Sequence, residues 1–108
     1  NDFGLIKNIL LLQIDLKQYS EVVNLSTEAL SNYPAQPILY LVNGVANNNL
    51  DLPDNAISSL ELGLDYIIDD VIMEADFYRQ LSVAHKLNNN ITKSETFAKK
   101  AEALINTD

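Results

Sequence analysis

Tyr40-Leu41-Val42-Asn43-Gly44-Val45-Ala46 and Tyr78-Arg79-Gln80-Leu81-Ser82-Val83-Ala84 are the two stretches whose reading decides the fold. Tyr, Val and Ala recur between them at one constant offset of 38 residues. Elsewhere apolar residues return every three or four positions, as in Val22, Leu25, Ala29 and Leu30, and again in Leu60, Leu64, Ile67 and Ile68. That period places them on one face of a helix. No stretch alternates strictly between apolar and polar, so no strand is expected. Three Gly and three Pro in 108 residues are few breakers, which favours long helices.

Six helices are expected, over 3–17, 20–32, 37–49, 53–67, 71–87 and 92–106. Pro34 and Pro37 punctuate the second joint, because proline has no N–H to continue a helix. Pro53 suits a first helical turn. Asp69 or Asp70 stands where the fifth helix needs an N-cap. Thr92-Lys93-Ser94-Glu95 has the spacing of a capping box. The triplets Asn47–Asn49 and Asn88–Asn90 fall where a helix ends and a turn begins, and Asn tolerates the left-handed backbone of a helix end.

Composition narrows the function. Seven basic and fifteen acidic residues leave a net charge of −8, a poor match for nucleic-acid phosphates. The charge is uneven: residues 18–78 carry ten acids and no base, whereas residues 1–17 carry two of each. The absence of Cys excludes disulfides and thiolate chemistry, and one His excludes a multi-histidine metal site. The apolar run Ile9–Ile14 is too short to span a bilayer. No phosphate loop or nucleophile elbow is present. His85 reads as a packed helical residue, without a second His or a thiol to work with. The acidic edge Asp65, Asp69, Asp70, Glu74 and Asp76 lacks the mid-loop Gly and ligand spacing of a calcium loop. No catalytic residue, cofactor or metal site is assigned.

Helix pairs at near-constant spacing call for a repeat comparison. Gly44, Ala56 and Gly63 fall on the small-residue positions of the tetratricopeptide pattern and Pro34 on its proline, Ala98 stands at its second aromatic position, and Leu10, Asn43 and Asn106 depart from it. The chain resembles a tetratricopeptide-repeat domain over its whole length, 1–108, with repeats at about 3–36, 37–74 and 75–108. The resemblance implies an all-α, right-handed solenoid of three hairpins and six antiparallel helices. A plain six-helix bundle is the alternative. The second repeat has four extra residues, about one helical turn, so the fifth helix can start a turn early and keep its face in register. Gly44 and Ala56 are expected where the two helices of a repeat cross, and Gly44→Leu is expected to cost about 1–3 kcal/mol through overpacking.

The resemblance also implies a groove lined by the first helix of each pair. Projection places Lys7, Leu11 and Ile14, then Leu41, Val42, Val45 and Asn48, then Asp76, Arg79, Gln80 and Val83 along it. An apolar stripe flanked by cations suits an extended peptide or an amphipathic helix. The carboxylate clamp of chaperone-binding members is not reproduced: Lys7 matches, but Leu11, Val42, Asp76 and Gln80 occupy the other four positions. The expected function is a non-catalytic protein-interaction scaffold; the alternative is a spacer or self-association segment with no dedicated ligand. The first helix is apolar all round, and Phe97, Leu104 and Ile105 offer apolar surface on the last. A solenoid normally ends in polar caps, so the chain reads as part of a longer repeat protein, or as one that self-associates through its terminal helices. The partners expected are proteins or peptides, with no nucleic acid and no membrane insertion. Compartment is not legible.

Overall fold

The computed structural model describes residues 2–106, all helix and turn: α1 (Asp2–Asp15), α2 (Tyr19–Asn32), α3 (Pro37–Asn49), α4 (Pro53–Leu64), α5 (Val71–Leu87) and α6 (Ile91–Ile105). Among the described residues there is no strand. Among the described residues each helix packs on its neighbours in sequence, and the only other helix contacts join α1 to α3 and α3 to α5.

The turn inside each helix pair is the same object three times. Lys17, Asp51 and Asn89 have φ of 59°, 60° and 61°. The amide of Lys17 bonds to Ile14 O and that of Gln18 to Gln13 O, at 3.0 and 2.8 Å. Asp51 and Leu52 repeat this onto Asn48 and Asn47, and Asn89 and Asn90 onto Lys86 and His85. These are Schellman ends, in which a left-handed residue turns two amides back onto the last carbonyls. Their spacings, 34 and 38 residues, are those of the sequence pattern.

α5 has 17 residues and α3 has 13, and both end in the same kind of turn, so α5 is about one helical turn longer. Pro37 and Pro53 open α3 and α4. Asp70 caps α5, its carboxylate accepting from Met73 N at 2.9 Å, while Asp69 takes a positive φ of 48°. Two expectations shift. α4 stops at Leu64, not near 67. No capping box forms at Thr92, because Asn90 takes the cap and accepts from Lys93 N.

α3 lies between two cores. Leu39, Val42 and Ala46 pack with Leu10, Val22 and Ala29. Tyr40 and Leu41 pack with Ala56, Leu60, Phe77, Leu81 and Ala84. Burial on both sides reaches the polar residues too. Asn47 and Asn48, expected at the end of this helix, are buried inside α3. They are bonded: Asn43 Nδ2 donates to Ser26 Oγ at 3.0 Å, and Asn47 Nδ2 donates to Asn43 Oδ1 at 2.9 Å. Buried amides without such partners would oppose folding.

Glycines mark the close crossings. A methyl at Gly44 would stand 2.6 Å from Cγ and Cδ2 of Leu60, so α3 meets α4 there. A methyl at Gly63 would run into Tyr40 Cβ and stand 2.7 Å from Phe77 Cε2. In the third pair hydroxyls do this work, Ser82 Oγ donating to Ser94 O at 2.7 Å.

Candidate binding face

The projected residues divide by burial. Leu41 and Val42 belong to the two cores and Asn48 is buried, so none of the three presents a side chain to a ligand. Val45 is half-buried against the second core. Leu11 and Val83 are each 42% exposed. Leu11, Val45 and Val83 hold one register position in α1, α3 and α5, 34 and 38 residues apart. Helical projection missed the burial of Leu41 and Val42 because α3 is covered on two sides, which a one-face wheel does not anticipate.

Asn48 and Gln80 are brought together: Asn48 Nδ2 donates to Gln80 O and to Gln80 Oε1, both at 3.0 Å. The pair ties α3 to α5. Asn48 Oδ1 is buried and accepts no bond. Arg79 is held by Asp76, Nη1 to Oδ1 at 2.7 Å, in an ion pair about half exposed on both sides. An exposed pair of this kind orients the guanidinium and contributes little stability, about 0–1 kcal/mol.

Lys7 and Leu11 line a cleft of about 280 Å³ with Phe3 of α1, Gln36, Pro37 and Ile38 at the start of α3, and Met73 of α5. Its walls are mainly apolar and Lys7 is its single charge. Of its residues only Lys7 and Leu11 are on the projected list. The others come from helix starts, and Met73 reaches the cleft from the additional first turn of α5. Its lining role was not legible in the sequence. Phe3 is held by the Tyr33 ring, 5.3 Å between centroids.

His85 and two members of the acidic edge have structural partners. His85 is buried and stacks on Phe97, centroids 5.4 Å apart and planes 3° from parallel. Burial lowers its pKa, with Lys93 acting in the same direction and Glu61 against it. Phe97 therefore faces inward, against His85 and Tyr78, and is not an open apolar end. In the acidic edge, Asp70 caps α5 and Glu74 accepts from Tyr78 Oη at 3.0 Å. Burial chiefly, and Glu74 secondarily, raise the Tyr78 pKa. Among the described residues no three His, Asp or Glu side chains gather as they would to hold a metal ion, and no helix is long and apolar enough to cross a membrane. No protein-family model, no curated protein and no solved structure matches this chain.

Proposed function

We propose that this chain is a non-catalytic protein-binding module, a tetratricopeptide-type right-handed solenoid of three hairpins that holds a peptide or helix across α1, α3 and α5. The observation that carries the reading is the cleft of Phe3, Lys7, Leu11, Pro37, Ile38 and Met73, which draws on all three of these helices. Three identical Schellman turns at 34- and 38-residue spacing support the solenoid. So does the contact pattern, in which the first helices of successive pairs touch and the second helices do not.

The ligand is an apolar segment with an acidic group placed for Lys7. Its apolar side chains enter the cleft and continue over Leu11, Val45 and Val83, and the carboxylate meets the ammonium at the edge. A contact of this size falls in the small, transient class, below about 1,200 Å² in total. Arg79, turned onto Asp76, can release that partner for a ligand acid at little cost.

A displayed-peptide selection tests the reading. The baits are the parent chain and a Leu11→Glu, Val83→Glu double variant. Both side chains lie outside the two cores, so the variant keeps the parent's helicity and melting midpoint. Apolar peptides with an acidic residue, enriched on the parent and lost on the variant, are expected. Equal enrichment on both removes the binding face from α1 and α5.

A further inference from the structure

A different face of α1 points to a partner. Leu5, Leu12 and Leu16 are 62%, 57% and 58% exposed, and Ile9 is 39% exposed. Their spacings of four, three and four residues line them up on one stripe of the helix. Leu16 follows the last residue of α1, but its amide still bonds to Leu12 O. None of the four packs into either core.

The same register positions behave otherwise in α3 and α5. Leu5 and Leu12 correspond to Leu39 and Ala46, and these to Phe77 and Ala84. All four of those residues are wholly buried, in helices that pack on the helix before them. α1 carries Leu at both positions and, among the described residues, touches only α2 and α3. A helix is therefore the shape that fits the stripe.

We propose that the helix is α1 of a second copy of this chain, packed antiparallel about a twofold axis. The spacing of four, three and four reads the same in both directions. Antiparallel pairing sets Leu5 against the other copy's Leu16, and Ile9 against its Leu12, in one self-complementary seam. One flank matches as well. At 100° per residue Asn8 and Asp15 lie on one side of the stripe. The twofold axis brings Asn8 near the second copy's Asp15, and both are exposed.

Charge distribution favours this pairing over others. The ten acids without a base lie in residues 18–78, while residues 1–17 balance. The acidic chains thus meet through their neutral segment. Head-to-tail stacking of α6 onto α1 is disfavoured, because α6 places Glu102 where α2 and α4 place Leu30 and Leu64. Such stacking would also leave open filaments.

The test is sedimentation equilibrium of the chain from low micromolar to near-millimolar concentration. The expected result is a monomer–dimer equilibrium that stops at two copies. Leu12→Glu, with unchanged circular dichroism and melting midpoint, weakens it more than about a hundredfold, because each substitution acts twice in the interface. The chain has no Cys, so orientation is read by cross-linking. Leu5→Cys mixed with Leu16→Cys forms a disulfide, and Leu5→Cys alone does not. A monomer throughout, a dimer indifferent to Leu12→Glu, or cross-linking of Leu5→Cys with itself each overturns the proposal. None of these outcomes bears on the Leu11 and Val83 face.

Discussion

Asn48 Nδ2 donates to both the main-chain carbonyl and the side-chain Oε1 of Gln80, and one buried amide so joins α3 to α5. Asn48→Ala removes the donor and leaves Gln80 Oε1 short of a partner, a loss of about 1–3 kcal/mol. Asn48→Asp is worse, because it aims a buried carboxylate at two acceptors. Urea unfolding at neutral pH is expected to rank the chains parent, Ala, Asp in falling stability. An Asp variant as stable as the Ala variant would show that the amide is not the joint between these helices.

Gly63 and Gly44 make a second ranking. Tyr40 Cβ, which a methyl at Gly63 would meet, adjoins the backbone and cannot retreat, and Phe77 closes the other side. The Leu60 side chain opposite Gly44 has rotamers to try, although it is fully buried. Overpacking costs about 1–3 kcal/mol, against a helix-propensity gain of nearly 1 kcal/mol for Ala over Gly. Gly63→Ala is expected to lower the urea midpoint clearly, and Gly44→Ala less. A stabilised Gly63→Ala protein would mean that α4 can move away from α3 and α5.

The helices were legible because Pro37, Pro53 and the apolar period act locally, within a turn or two of chain. The burial of Asn47 and Asn48 was not. That of Asn48 depends on α5 arriving over α3 with Gln80 in reach, and no local rule contains that. The cap at Asn90 was missed because two cap signals stand two residues apart, and geometry chose the earlier one. Of the candidate face, Lys7, Leu11 and Val83 follow from helical projection, while Met73 and Ile38 enter only when three helix starts converge. The turns at Lys17 and Asp51 were hidden by their residues, since neither is the Gly that usually marks a left-handed helix end.

That mismatch is testable. A left-handed backbone costs an ordinary L-residue roughly 1–2 kcal/mol, and Asn less. Glycine avoids the cost but loses more chain entropy on folding, about 0.5–1 kcal/mol. Lys17→Gly is expected to stabilise the chain by a few tenths to about 1 kcal/mol. Asn89→Gly is expected to be close to neutral. Thermal melts of the two variants check the order. A larger gain at position 89 than at 17 would mean that the turns differ in strain despite their matching φ values.

His85 predicts the pH response. Its folded-state pKa is lowered, chiefly by burial. The unfolded imidazole titrates near about 6.5. As pH falls, the unfolded chain therefore binds the proton first, and more protons in the unfolded state mean stability that declines with pH. The contribution is complete above about 6.5 and is lost progressively down to the lower folded value, below which it stays constant. His85→Gln removes this proton. Melting midpoints of the parent are expected to fall faster than those of the variant between neutral pH and about pH 5, where Asp and Glu still contribute little. Parallel curves for the two proteins would mean that His85 protonates in place, turning its ring edge to Glu61 while still stacked on Phe97.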